Sequence, residues 1–277
     1  MAGKHIVLMS NFGLADPYVG IVKGVISQIA PDLKLIDLSH HIPPGDIQTG
    51  ALQLWQSTDY FPPGTVFLTV VDPGVGTARK GICLQRGNQI FIGPDNGLFT
   101  YLGYKTAFTA WELTNLNFQL PHPSHTFHGR NIFAPAAARA ALGTLGKEFG
   151  ERVSSLVHLP RPICQIAKSN LKDEVLGKDR FGNLITSRGK FQPIEQGLVL
   201  ASWTEDASLI IPSKPTIQTQ HTEKNLALVP PFADIPAQGF SGVIGSSGLL
   251  EIAAKQASAA DQLGLSRGQQ ITLTWDQ

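Results

Sequence analysis

The first half of the chain alternates short apolar runs with longer segments that have helical periodicity. The apolar runs and the amphipathic segments between them lie at 5–9, 18–30, 33–38, 46–57 and 65–71. Parallel strands need a crossover connection, which is usually a helix, so this order predicts a largely parallel sheet between helices. Further short strands and helices are expected to complete an α/β N-terminal domain over residues 1–160.

The second half has a different texture. Short apolar segments are separated by Gly, Pro, Ser and polar residues, which is typical of an antiparallel β domain. We therefore expect a smaller antiparallel β domain at 171–277, joined to the first domain by a linker at 161–170.

Charge and cysteine content limit the classes of protein to which the chain can belong. The 22 Lys and Arg residues nearly balance the 21 Asp and Glu residues, so no field is expected to attract nucleic acid or an anionic membrane. The N-terminal apolar run is too short for a signal peptide, and no run reaches membrane-spanning length. Cys83 and Cys164 lack CxxC spacing and are interpreted as buried reduced thiols. These features predict a soluble cytoplasmic protein.

Polar clusters follow several of the predicted strands. They are SNFGLADPY at 10–18, SHHIPPGD at 39–46, DPGVGTAR at 72–79 and GPDNG at 93–97. Ligands of parallel α/β sheets bind beyond the carboxyl ends of the strands, so these loops together predict a pocket. One strand ends at Asp72, and Arg79 follows after a Pro/Gly-rich segment; taken alone, such a stretch is typical of a surface turn with a solvated salt bridge.

Three histidines raise the possibility of a metal site. His122, His125 and His128 recur at every third residue, and Asp72 could complete the ligand set. Prolines within the segment exclude the regular helix that would align the rings, and the chain has no HExxH pattern, so His122 and His125 are interpreted as loop residues. The chain also lacks GxSxG, P-loop and GxGxxG motifs. We expect neither a metal nor another cofactor.

Six stretches, in order and over nearly the whole chain, resemble one known family. They are SNFGLADPYVGIVKGVI, VVDPGVGTARKGI, IGPDNGLFTYL, TFHGRNIFAPAAARAALG, DRFGNLITS and SSGLLEIAAKQASAADQLGL. The chain resembles the S-adenosylmethionine (SAM) hydroxide adenosyltransferases, which are relatives of the bacterial fluorinases and chlorinases. Six motifs in the same order are far more specific than any single match.

The resemblance implies a reaction and an assembly. The reaction is hydrolysis of SAM to adenosine and L-methionine, with hydroxide derived from water attacking the ribose 5′ carbon. The implied fold is an α/β domain followed by a β-barrel-like domain, and the implied assembly is a homotrimer with active sites between subunits. The implied substrate is a small molecule, with no nucleic acid or membrane partner.

The family's catalytic residues map onto Asp72, Arg79 and His128. Methionine leaves as a neutral thioether and needs no general acid, so the catalytic residues have only to orient and deprotonate the water. A guanidinium can orient the carboxylate and favour developing hydroxide, and either the carboxylate or the imidazole can take up the proton. The sequence leaves both proton acceptors open.

The resemblance also implies how the methionine part of the substrate is held. Asp16 and Asp179 match positions that meet the ammonium group, and Ser246 and Ser247 match the region that holds the carboxylate. Two acids and two hydroxyl or amide donors form a chemically sensible clamp for a zwitterion.

Three further positions match the nucleoside site. Asn183 matches the residue that reads the adenine edge, and Phe232 matches a ring packed against the base. Asn11 stands where relatives usually carry the Asp that binds the ribose diol, so the sequence predicts weaker contact with the ribose here. Lys255 likewise replaces a residue that is often Asn.

Three alternative functions remain open at this point. A halogenase would dispense with the Asp/Arg/His set, and one of them carries Ser where this chain has Gly129. A non-catalytic SAM or adenosine sensor would retain the binding residues alone, and a metal-dependent hydrolase would lose activity in chelator.

Overall fold

The two halves of the sequence fold as separate units, Met1–Leu159 and Pro160–Gln277. The computed structural model describes eleven segments of the chain. They are residues 5–104, 106–122, 124–144, 146–163, 165–187, 190–194, 197–201, 208–212, 215–219, 223–229 and 232–275. Cys164, expected to be a buried thiol, lies outside these residues.

The N-terminal unit is built on a seven-stranded sheet in the order β2-β1-β3-β5-β4-β6-β7. Its strands are β1 His5–Ser10, β2 Lys34–Ser39, β3 Val66–Val70, β4 Gly81–Arg86, β5 Gln89–Pro94, β6 Thr109–Glu112 and β7 Arg152–Val153. The pairings among β2, β1, β3 and β5 are parallel, as predicted. The pairings of β4, β6 and β7 are antiparallel, so the sheet is mixed rather than largely parallel. The reason is local: only two residues join β4 to β5, and such a short loop permits an antiparallel hairpin but no parallel crossover.

Helices cover both faces of this sheet. The helices of the described chain are α1 Tyr18–Ile29, α2 Ile47–Ser57, α3 Ala134–Ala141, α4 Gly146–Phe149 and, in the second unit, α5 Ala259–Leu263. Alternate residues of β1 face opposite cores: Ile6 packs in the core that contains α1 and α3 residues, and Val7 packs in the core that contains α2 residues. A 3₁₀ turn lies at Thr100–Gly103, and a π-helical turn at Gly129–Phe133 leads directly into α3.

Two properties predicted from composition can be examined in this unit. Cys83 is buried in the sheet, and burial raises the pKa of its thiol to about 12. None of the helices in the described segments is both long enough and apolar enough to cross a membrane.

The second unit contains two antiparallel sheets. The larger has the order β15-β14-β18-β9-β10-β17-β16, with β8 beside β9, and the smaller has the order β11-β12-β13. Their strands are β8 Gln165–Ile166, β9 Asn170–Lys178, β10 Leu184–Thr186, β11 Lys190–Ile194, β12 Gly197–Ala201, β13 Ser208–Pro212, β14 Thr216–Gln218, β15 Glu223–Asn225, β16 Phe240–Ile244, β17 Leu250–Ala254 and β18 Gln270–Thr274. β8 lies within 161–170, the segment expected to be a linker, and it pairs with β9.

The two edges of the larger sheet are joined by the segment that follows β15. Gly242 of β16 donates a backbone hydrogen bond to Ala227 O and accepts one from Val229 N, both at 2.9 Å. A Cβ at Gly242 would overlap the Leu228 side chain, so glycine permits this close approach. The segment that follows the edge strand β15 therefore forms backbone hydrogen bonds with the other edge strand, β16, as in a barrel.

Candidate active site

Asp72, Arg79 and His128 form one hydrogen-bonded cluster in the N-terminal unit. Arg79 donates from Nε to Asp72 Oδ1 at 2.9 Å and from Nη2 to Asp72 Oδ2 at 2.5 Å. Arg79 Nη2 also lies 2.8 Å from His128 Nδ1. The side chains of Arg79 and Asp72 are only 10% and 5% exposed, so water screens this pair weakly. The structure brings the three predicted catalytic residues together.

The loop that returns Arg79 to Asp72 is shaped by its own hydrogen bonds. Val75 N donates to Asp72 O at 3.3 Å, and Thr77 donates to Gly74 O from both its backbone nitrogen and its hydroxyl. Gly76 has φ of +78°, and a Cβ there would lie 2.6 Å from His125 O. Glycine is thus required by both backbone conformation and space, and it lets this loop pack against the segment that leads to His128.

The electrostatics of the cluster favour a neutral His128. Burial, followed by the Arg79 charge, lowers the pKa of His128 below its usual value, and the Asp72 charge opposes this only in part. Since Nδ1 accepts from Arg79, which is always protonated, the ring hydrogen is assigned to Nε2. His128 therefore presents a donor at Nε2, and the oxygens of Asp72 keep unused lone pairs.

Asn11 lies at the same edge of the sheet as Asp72. Its backbone nitrogen donates to Val70 O at 3.3 Å, two residues before Asp72. The side chain of Asn11 makes no hydrogen bond within the described residues, so its amide is available to a ligand. Asp16 is exposed on the loop between β1 and α1.

A polar network that is buried at Ser10 and His40, and that was missed from the sequence, fixes the loop that carries Asn11. Ser10 Oγ lies 2.7 Å from His40 Nδ1, and His40 Nε2 lies 3.1 Å from Asp37 Oδ1. Lys23 Nζ donates to Asp37 Oδ2 at 2.6 Å. Burial alone would raise the pKa of Asp37, but the hydrogen bonds with Lys23 and His40 outweigh it and lower that pKa. The signal in the sequence is a serine and a histidine at the ends of two neighbouring strands.

This network reaches the Asn11 loop through backbone contacts. Gly13 N donates to His40 O at 2.8 Å, and Phe12 N donates to Ser10 Oγ at 3.3 Å. The residues on both sides of Asn11 are thus held in place by His40, either directly or through Ser10.

Gly129, next to His128, packs against aromatic rings. A Cβ at this position would lie 3.0 Å from Phe12 Cζ and 3.3 Å from Phe127 Cε2. Phe12 and Phe127 pack edge to face, with ring centroids 5.7 Å apart. A serine at this position would therefore require these rings to shift.

The C-terminal unit contains a cavity of about 830 Å³. Four of the five residues predicted to bind substrate in this unit line it, namely Asp179, Asn183, Phe232 and Ser246. Ser247 is absent from the lining within the described residues. Glu251 and Lys255 also line the cavity, and Glu251 was not predicted.

Asp179 shapes the turn that presents Asn183. Its Oδ1 accepts from the backbone nitrogens of Phe181 and Asn183 at 2.8 and 2.9 Å, and its Oδ2 accepts from Asn183 Nδ2 at 2.8 Å. The amide nitrogen of Asn183 is thereby oriented, which leaves its carbonyl oxygen able to accept from a ligand.

Lys255 reaches the turn that carries Phe232. Lys255 Nζ donates to Ala233 O at 3.4 Å, and Phe232 begins the 3₁₀ turn Phe232–Asp234 with its ring about half exposed. Lys255 therefore links the residue after β17 to this turn.

His122, His125 and His128 were considered above as metal ligands. Within the part of the chain that the structure describes, no group of three or more His, Cys, Asp or Glu side chains is placed to hold a metal ion. His122 lies in the loop before His128 with φ of +51°.

Comparison with known proteins identifies both units. Residues 6–150 match the SAM hydroxide adenosyltransferase N-terminal domain, and residues 173–272 match the C-terminal domain of the same family. A protein from Salinispora arenicola named (R)-S-adenosyl-L-methionine hydrolase is 38% identical over 275 residues and covers 97% of each chain. A fluorinase from an Actinoplanes species is 27% identical over 298 residues.

Comparison with solved structures also finds a protein of similar fold over nearly the whole chain. The crystal structure of an uncharacterized conserved protein from Thermotoga maritima matches with a TM-score of 0.86 and 30% identity, over 98% of this chain and 100% of that chain. The resemblance seen in the six motifs is thus confirmed: the chain belongs to the SAM hydroxide adenosyltransferase family.

Proposed function

We propose that this protein hydrolyses SAM to adenosine and L-methionine. The observation that carries the proposal is the bonded cluster of Asp72, Arg79 and His128, in a chain 38% identical to a protein named as such a hydrolase. One oxygen–carbon bond forms at the ribose 5′ carbon, and the carbon–sulfur bond breaks. Methionine takes the electron pair and leaves as a neutral thioether, and one proton is released from the water.

The cluster suggests separate roles in handling that water. Neutral His128 would donate from Nε2 and orient the water, because its Nδ1 is engaged by Arg79. Asp72 would accept the proton, because each of its oxygens keeps a lone pair beyond the one that Arg79 uses. Arg79 holds both side chains and favours the developing hydroxide.

The substrate would be held by residues of both units. Asn11 and Asp16 would contact the ribose and the ammonium from the first unit. From the second unit, Asn183 and Phe232 would bind adenine, while Asp179, Ser246 and Ser247 would bind the methionine end. Ser247 depends on the family resemblance alone, since it does not line the cavity.

Halogenation is the alternative for which the more distant fluorinase relative gives a reason. A serine at position 129, as found in one halogenase, would require the Phe12 and Phe127 rings to shift by a few tenths of an ångström, and the glycine here avoids that shift. The cluster of Asp72, Arg79 and His128 also has no role in a halide pocket.

The test is a chromatographic assay of purified protein with each sulfonium epimer of SAM. The name of the Salinispora relative specifies the (R) epimer, so we expect adenosine and methionine in equal amounts and faster release from that epimer. Release should persist in excess chelator and without added halide. A 5′-halogenated product at moderate chloride would favour halogenation, and binding without release would indicate a sensor.

We further propose that the active site forms between subunits of a homotrimer, with the cluster from one chain and the cavity from its neighbour. The support is the family resemblance and the division of chemistry between the units. Mixing inactive Asp72→Asn with an inactive Asn183→Ala/Phe232→Ala variant should then restore up to about one quarter of wild-type activity after random reassembly. A site within one chain predicts no recovery, and light scattering that shows an active monomer would contradict the trimer.

A further inference from the structure

Glu251 is a cavity-lining carboxyl with no hydrogen-bond or ion-pair partner among the described residues. It lies on β17, between Ile185 of β10 and Val243 of β16. Its Oε1 lies so close to Gly245 that a Cβ at that position would overlap it, so the glycine makes room for this carboxyl. Within the described residues the side chain of Glu251 makes no hydrogen bond, although it is substantially buried.

No cation among the described residues balances the charge around Glu251. The charged side chains among the described residues that line the cavity are Asp179, Glu251 and Lys255. Lys255 donates to Ala233 O and is exposed, so it does not neutralise the pair of acids. Burial, followed by the Asp179 charge, raises the pKa of Glu251 to about 7. Two carboxyls in one cavity without a cation of their own are unfavourable until a ligand supplies one.

The two acids differ in what they can offer a ligand. Asp179 already accepts three hydrogen bonds from its own turn, whereas the oxygens of Glu251 accept none from the part of the chain that the structure describes. An ammonium group carries three donors and is poorly served by Asp179 alone. A sulfonium has no N–H or O–H to donate, so an unpaired acceptor is suited to the ammonium.

We infer that Glu251 binds the α-ammonium group of the substrate together with Asp179 and so determines specificity for the amino acid end. This inference rests on the proposed function, because it deepens the same site. Asp179 then mainly shapes the turn that orients Asn183, and Glu251 supplies an acceptor that no described residue occupies.

The test measures binding without turnover. S-adenosyl-L-homocysteine keeps the ammonium and lacks the sulfonium, and adenosine lacks both. Glu251→Gln should raise the Kd of S-adenosyl-L-homocysteine about 10- to 100-fold and leave that of adenosine within about twofold. Glu223→Gln removes the same charge from an exposed position on β15 and is the matched control, with both Kd values unchanged.

A pH series adds a readout that a purely structural role would not move. Wild-type affinity for S-adenosyl-L-homocysteine should rise from pH 5.5 to 7.5 as Glu251 loses its proton, and Glu251→Gln should remove most of that rise. Asp179 and Lys255, the other charged groups facing the cavity, are unchanged in the variant.

The inference is overturned if Glu251→Gln leaves both Kd values unchanged or weakens both ligands equally. It is also overturned if the wild type binds neither ligand. If Glu251→Gln shows the selective effect but the wild type releases no adenosine from SAM, only the proposed function is contradicted.

Discussion

Asp72 and Glu251 are both partly or largely buried carboxyls, yet Asp72 is paired with a cation of its unit and Glu251 is not paired within the described residues of its unit. Asp72 faces a guanidinium that donates to both of its oxygens and also engages His128. Glu251 has no cation and no hydrogen bond among the described residues of its unit, and its pKa is raised to about 7.

The difference matches what each carboxyl would have to do. A group that handles water in every turnover must keep its geometry when no substrate is bound, and a fork from Arg79 fixes it. A group that recognises a ligand cation can remain unpaired, because the ligand completes the pair. The paired carboxyl, Asp72, is therefore expected to take part in the chemistry, and the unpaired carboxyl, Glu251, is expected to recognise the ligand.

The largest loss of activity should come from removing the guanidinium that pairs with Asp72. Arg79→Ala removes the donor to both Asp72 and His128 and should lower kcat by about 10²- to 10⁴-fold, with the Kd of adenosine nearly unchanged. Single-turnover kinetics and calorimetry measure the two quantities. Arg79→Lys keeps the charge but loses the fork, so it should recover only a small part of the rate. A near-normal rate for Arg79→Ala would mean that the cluster is structural.

A second prediction concerns Asn11, which stands where the family resemblance implies an Asp. Asn11→Asp provides two acceptors for the ribose diol, and hydrogen bonds to charged groups contribute roughly 1.5–3 kcal/mol, so kcat/KM should rise about 10- to 100-fold. Part of the gain should vanish with a 2′-deoxyribose substrate. Steady-state kinetics on both substrates decide the matter, and an unchanged or lower kcat/KM would show that Asn11 is not a weakened ribose ligand.

The smallest effects should come from the network behind Asn11. His40→Leu leaves Ser10 without its buried partner and should lower the free energy of unfolding by about 1–3 kcal/mol, with a higher KM because the Asn11 loop loses support. Lys23→Met breaks only an exposed ion pair of the same network and should cost about 0–1 kcal/mol. Urea titration measures both variants, and equal losses would mean that His40 does not hold the loop.

Features that depend on local sequence were predictable. Alternating apolar and amphipathic segments predicted α1, α2 and the parallel half of the first sheet, and the motifs around Asp72 and His128 predicted a cluster that the structure brings together. The loop from Asp72 to Arg79 contains Gly76, whose φ is positive, and this glycine is visible in the sequence itself.

Features that depend on distant contacts were not predictable. The contact between Ser10 and His40 joins residues 30 positions apart, and neither residue type alone indicates a partner. The link between Gly242 and the segment after β15 likewise needs the curvature of a whole sheet. In the sequence, Glu251 is an ordinary polar position on a strand. It is distinguished only by its place in a cavity, where it has no hydrogen-bond partner among the described residues.

The most direct test of the account is hydrolysis in oxygen-18 water, with SAM as the only substrate and no added halide or metal. If the cluster in the first unit delivers water to the ribose 5′ carbon, mass spectrometry will find one label in the 5′-hydroxyl of adenosine and none in methionine. Unlabelled adenosine, or label in the methionine fragment, would contradict attack by water at that carbon.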